Sequence, residues 1–120
     1  MNLIISILIG LIAVIHGYIL WLEMFAWTTR GPKAFNKPVA ELQNSKTLAA
    51  NQGLYNGFLA AGLFWTFFIS DAQWHNNVAL FFLACVTIAG LYGSITVTRK
   101  IFYIQALPAL ITIVLILIGL

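Results

Sequence analysis

The sequence predicts an all-α membrane fold, a four-transmembrane-helix up-down antiparallel bundle with both termini outside. Three observations predict it. Of the 120 residues, 62% are hydrophobic and only 8% charged, with a mean hydropathy of +0.97. A soluble domain carries about 25% charged residues because its surface faces water, so the solvent implied here is lipid. Four apolar runs each approach the length of about 20 residues needed to cross a hydrocarbon core about 30 Å thick. All six Lys and Arg residues fall in two of the three connections, and cytoplasmic loops carry that excess.

The first span runs from Leu3 to Trp27. No basic residue precedes it and no small-residue cleavage site follows, which predicts a retained helix rather than a removed signal. It ends near Thr28, where the connection Thr28 to Lys46 begins; Arg30, Gly31, Pro32, Lys33, Lys37 and Pro38 punctuate that connection. Pro38 also suits the first turn of a short amphipathic helix over Val39-Ala40-Glu41-Leu42. The second span, Thr47 to Ser70, leads to a polar connection, Asp71 to Asn77, that has no Lys or Arg. The third span is Val78 to Val97. A tight turn at Thr98-Arg99-Lys100 feeds the fourth, Ile101 to Leu120, whose aliphatic end from Leu110 is expected to face lipid.

Backbone groups in lipid must bond internally, which leaves helices or closed barrels. These runs are unbroken and do not alternate with period two, so they are helices. Short connections make sequential helices antiparallel neighbours in one integral membrane domain over residues 1–120. The basic connections lie inside, and the expected location is multi-pass in a bacterial cytoplasmic membrane. Trp27 and Trp74 fit the two interfacial belts.

Polar side chains within a span are costly, so their placement is informative. His16 and Glu23 share one face of the first helix at about 100° per residue. They stand about 10 Å apart along the axis, so Glu23 needs a partner on another helix. The second helix opens with Asn51, Gln52, Tyr55 and Asn56, read as one polar face, with Gly53, Gly57, Ala60 and Ala61 as a small-residue packing stripe opposite. The third carries Tyr92, Thr96 and Arg99 in line with Cys85. The fourth has Gln105, and Pro108 one turn later is expected to kink it. Glu23, Asn51, Gln52, Tyr92 and Gln105 fall at similar depth near the inner ends of four helices. This layer predicts a pocket open to the cytoplasm and lined by Glu23, Asn51, Gln52, Tyr55, Asn56, Tyr92 and Gln105, with Arg99 and Lys100 at its mouth.

Several classes are excluded. The basic residues sit in loops rather than along one face, which is no nucleic-acid footprint. Cys85 is the single cysteine, so no intrachain disulfide or cysteine zinc cluster forms. His16 and Glu23 make no i, i+3 or i, i+4 metal pair, and neither a Ser-His-Asp set, a phosphate loop nor a dinucleotide fingerprint is present. No residue pattern names a cofactor. His75 lies in the polar connection and receives no role.

The runs His16-Gly-Tyr-Ile-Leu-Trp-Leu-Glu23-Met-Phe, Leu48-Ala-Ala-Asn51-Gln-Gly-Leu-Tyr55-Asn56-Gly-Phe-Leu-Ala and Gly90-Leu-Tyr92-Gly, followed by Thr98-Arg99-Lys100, resemble a bacterial membrane-protein family catalogued as domain of unknown function 1304. That resemblance covers nearly the whole chain and implies topology rather than activity. A more distant similarity is to the membrane-associated proteins in eicosanoid and glutathione metabolism, whose second helix opens Arg-x-x-x-Asn-x-x-Glu-Tyr. Asn51 and Tyr55 match that pattern, while Thr47 and Leu54 replace its Arg and Glu. What it implies is a four-helix, typically trimeric architecture with an inner-layer site. Small multidrug transporters are similar in length and in carrying a Glu in helix one, which in this chain is Glu23. These likenesses imply a homo-oligomer, trimer or dimer, in the lipid bilayer.

The leading expectation is a binding protein or enzyme whose pocket accepts a small amphipathic or anionic molecule. Glu23 is the candidate catalytic acid/base or charge-pairing group, Asn51, Gln52 and Tyr92 are hydrogen-bonding contacts, and Arg99 is an anion anchor. Two alternatives stay open. One is a proton-coupled exporter using Glu23; the other is a structural subunit packed through Gly53 and Gly57.

Overall fold

A computed structural model describes residues 2–120. Every regular element among them is a helix. In chain order these are α1 (Leu3–Phe25), two short helices α2 (Gly31–Phe35) and α3 (Val39–Gln43), α4 (Lys46–Trp65), α5 (Ala72–Thr96) and α6 (Leu107–Leu117). A single 3-10 turn, Thr66–Phe68, follows α4, and a π-helical stretch, Phe102–Ala106, precedes α6. α1 and α5 are each long and apolar enough to cross a membrane, by length and composition.

α1 starts where Asn2 caps it, its Oδ1 accepting the Ile4 N–H at 2.7 Å and so satisfying one of the helix's orphan donors. Along it Ile5, Ile9, Ile12, His16, Leu22 and Glu23 are buried. The steps of four, three and four residues from Ile5 to His16, and of seven from His16 to Glu23, mark one face of a helix. His16 and Glu23 therefore lie on the packed stripe.

Two compact units are distinguished: Val14–Ala60, and the segment ending at Ala13 together with Ala61–Leu120. In the Val14–Ala60 unit, the long connection is folded rather than open. Trp27 Nε1 donates to the Leu42 carbonyl at 3.0 Å and to Ser45 Oγ at 3.1 Å, and its ring packs on Phe35 with centroids 5.2 Å apart. α2 has Pro32 in its first turn and ends at Asn36, whose φ of 52° is the left-handed cap that Asn tolerates. α3 follows Pro38 as the amphipathic turn expected there, with Leu42 buried. The ion pair of Lys37 with Glu41 at 3.5 Å is exposed at both ends and stabilises little.

In the other unit, α5 begins at Ala72 rather than at Val78. Asp71 is the reason: its carboxylate accepts the Trp74 N–H at 2.9 Å, so polar residues that read as loop form the first turns of a helix. Asp71→Ala is expected to cost about 1 kcal/mol. The check is denaturation in detergent micelles together with faster amide exchange confined to the first turn of α5.

α4 gives way to the 3-10 turn at Thr66 and reaches extended backbone at Ile69, short of the Ser70 boundary expected. The last helix is irregular where Pro108 dictates. Proline has no N–H for the carbonyl four residues back and its ring crowds that carbonyl; the turn before it widens, and the Leu107 N–H reaches Phe102 O, five residues away. Three buried threonines cover their own hydroxyls by bonding carbonyls of the preceding turn: Thr66 to Leu63, Thr87 to Leu83 and Thr112 to Pro108, at 2.6, 2.8 and 2.8 Å.

Candidate functional site

Close approach of α1 and α4 within the Val14–Ala60 unit creates the site. A Cβ on Gly53 would stand 2.7 Å from Met24 Cγ and 3.0 Å from Glu23 Cβ, and one on Gly57 would collide with Leu20 Cδ1. The absence of a side chain at these two positions lets the helices come near, most strictly at Gly53, where a Cβ would also stand 3.2 Å from the Leu20 carbonyl oxygen. Asn56 lies between them in sequence and reaches across: its Nδ2 donates to Glu23 Oε1 at 2.7 Å and to the Gln52 carbonyl of its own helix at 3.1 Å. Both amide hydrogens are thereby used. Glu23 is 6% exposed and Asn56 9%.

The partner that the sequence required for Glu23 is thus an amide on the second long helix. Asn56, however, belongs to the packing face beside Gly53 and Gly57, not to the opposite face with Asn51, Gln52 and Tyr55. Three residues of helix return a side chain to within about 60° of its start at about 100° per residue, so Asn56 follows Gly53 around the helix. Gln52 contributes its backbone carbonyl, while the Asn51, Gln52 and Tyr55 side chains are exposed. The Tyr55 ring leans on Phe58 with centroids 6.0 Å apart.

The remaining expected residues belong to the other unit. Tyr92 is exposed and its carbonyl accepts from Thr96 Oγ1 at 2.9 Å. Arg99 is exposed. Gln105 is half-buried within the π-helical stretch, its Cβ 3.0 Å from where a Cβ on Gly90 would stand.

Chemically, the pair presents a shielded carboxyl group. A carboxylate has about four lone-pair sites, and Asn56 is the one side chain that donates to Glu23 among the described residues. Its spare capacity suits a hydrogen-bond donor. Among the described residues no group of three or more His, Cys, Asp or Glu is placed to hold a metal ion.

His75 went unassigned in the sequence because it stands among polar residues. It is 4% exposed, one turn into α5. The signal that would have found it is Asp71 as a cap, which starts the helix early and turns His75 onto the same stripe as Ala79, Leu83 and Val86.

Comparison with known proteins adds family membership. The family model described as "Protein of unknown function (DUF1304)" matches residues 10–117. The chain is similar to "Uncharacterized protein YpaA" of Lactococcus lactis subsp. lactis (strain IL1403), with 34% identity over 117 residues, covering 95% of this chain and 97% of the relative. No solved structure matches.

Proposed function

Because the chain belongs to the DUF1304 family, whose description carries no activity, its function must come from its own residues; we propose that it is a multi-pass protein of the bacterial cytoplasmic membrane that binds a small amphipathic molecule at Glu23. In this reading the four apolar segments cross the bilayer and the connections holding all six Lys and Arg face the cytoplasm. Composition, the two long apolar helices and the charge distribution support it.

One observation carries the site: a carboxyl group almost wholly removed from solvent that receives, among the described residues, one side-chain hydrogen bond, from Asn56. An ionisable side chain at such a position is expensive and points to function. The headgroup it suits is a donor, such as a primary amine. A second anion beside Glu23 would be repelled, which favours an amphipathic amine over the anionic ligand that the basic residues suggest. The proposed site is confined to the Val14–Ala60 unit, with Glu23 as anchor and Asn56 as the group that orients it.

Thermal unfolding in nanodiscs with a short-chain alkylamine tests this. At a hundredfold excess over Kd, binding stabilises the folded state by about 2.7 kcal/mol. The wild type is expected to show that stabilisation and Glu23→Gln to lose it, with an alkyl sulfate of equal chain length inactive on both. Equal stabilisation of wild type and Glu23→Gln by the amine would contradict the site.

A further inference from the structure

Arg30, Lys33, Lys37 and Lys46 all belong to the stretch that joins α1 to α4, where Glu41 is the one acidic residue. Glu41 is taken up by Lys37, at 3.5 Å. Arg30, Lys33 and Lys46 are exposed and make no ion pair among the described residues. Three cations without a counter-charge give this short segment a strong positive field.

The fold keeps that field close to the helix ends. A field in salt solution fades over a Debye length of about 10 Å, and an open loop could carry its charges well beyond that. Here the connection is pinned. The Arg30 N–H donates to the Ala26 carbonyl at 3.0 Å, which holds Arg30 one turn past α1. Gly31 abuts the Leu42 side chain, since a Cβ on it would stand 3.2 Å from Leu42 Cδ1. Trp27 Nε1 reaches Ser45 Oγ at 3.1 Å, and Lys46 follows as the first residue of α4. Arg30 has helical backbone and lies three residues before Lys33, so the two point within about 60° of each other. Two apolar side chains, Phe35 and Val39, are exposed beside these cations.

We propose that this folded connection lies on the cytoplasmic leaflet and binds anionic phospholipid headgroups, with Arg30, Lys33 and Lys46 holding the phosphate and Phe35 and Val39 directed toward the acyl boundary. It rests on the membrane reading above but not on the amine at Glu23. Charge complementarity selects the occupant: a headgroup with net negative charge is attracted, and a zwitterionic one is not. Basic residues directly beside an apolar span suit the negative surface of that leaflet, and exposed apolar residues among them add the contact by which interfacial segments hold to lipid. A soluble anion would use the cations and leave the apolar pair idle.

Full-length protein in detergent micelles is titrated with phosphatidylglycerol and, separately, with phosphatidylcholine of the same acyl chains, and native mass spectrometry counts the bound lipids. Phosphatidylglycerol is expected to bind about fivefold more tightly, the worth of one Lys or Arg at an anionic surface. The triple variant Arg30→Gln, Lys33→Gln, Lys46→Gln should bind the two lipids equally, while Arg99→Gln with Lys100→Gln keeps the preference. Glu41→Gln frees Lys37 and should raise the preference, which tests the same field should the triple variant not fold. No preference in the wild type, a preference that survives the triple variant, or one that Arg99→Gln with Lys100→Gln abolishes equally would overturn the proposal. Displacement of phosphatidylglycerol by inorganic phosphate, but not by sodium chloride of equal ionic strength, would also overturn it and assign the cations to a soluble anion. Failure of the membrane reading would show separately, as a protein that binds neither lipid and stays in solution without detergent, and would overturn both.

Discussion

Asn56→Leu is expected to destabilise the protein by about 1–3 kcal/mol, the cost of stranding a buried polar partner. Leucine fills the space of the carboxamide but donates nothing, so Glu23 keeps its burial and loses the bond at 2.7 Å. The hydrogen bond itself accounts for only part of that loss. Interhelical hydrogen bonds in membrane proteins contribute about 0.6 kcal/mol on average and about 1.7 at most in double-mutant cycles. What exceeds this is the desolvated carboxyl left behind. The double variant Glu23→Met with Asn56→Leu removes both polar groups and is expected to recover much of the loss, because replacing both partners by apolar groups of similar shape is nearly neutral. Reversible unfolding in mixed micelles measures all four corners of the cycle. A double variant as unstable as the sum of the singles would mean that the two side chains do not interact.

Gly90→Ala is expected to cost about 1–3 kcal/mol by overpacking. The added Cβ would stand 2.6 Å from the Ala106 backbone nitrogen and 3.0 Å from the Ala106 and Gln105 Cβ atoms. Backbone cannot rotate out of the way, so α5 and the π-helical stretch must separate. Two other glycines set the scale. Gly57→Ala meets the far end of the Leu20 side chain, which can change rotamer, and should cost less. Gly17→Ala, in the middle of α1, meets nothing within 4 Å and should stabilise by up to about 1 kcal/mol, since alanine is the better helix former. The predicted order of stability is therefore Gly17→Ala above wild type, then Gly57→Ala, then Gly90→Ala. A Gly90→Ala variant as stable as wild type would contradict the close contact.

Much of the helical layout was legible because apolar run length is a coarse signal that tolerates local error. α1 begins where its sequence pattern begins, and the Pro38 turn formed as its residues suggested. Misplaced boundaries share one cause, local side-chain bonding that hydropathy does not register. Asp71 caps α5 and draws Gln73, Trp74 and His75 into a helix despite their polarity. Thr66 folds its hydroxyl onto the Leu63 carbonyl at the point where α4 tightens. Trp27, expected at an interface, spends its indole N–H on Leu42 and Ser45 and so organises the connection after α1.

The candidate site was legible in its anchor and less so in its surroundings. Glu23 stood out because a carboxyl in an apolar helix has few explanations. Its partner was harder to single out among Asn51, Gln52 and Asn56, which differ little in chemistry. Rotation about the helix axis separates them: Asn56 turns with Gly53 into the packed seam, while Asn51 and Gln52 turn out. Helical phase relative to the glycines, rather than polarity, was the informative quantity.

The most direct measurement uses the chain's two glutamates, Glu23 and Glu41, which give two carboxyl signals in protein labelled with ¹³Cδ-glutamate. Addition of the alkylamine to wild type, and separately Asn56→Leu, should each move the Glu23 resonance while leaving that of Glu41, which is solvent-exposed beside Lys37, where it was. A Glu23 signal that ignores both the amine and the loss of Asn56 would contradict a shielded carboxyl held by one amide and open to a donor.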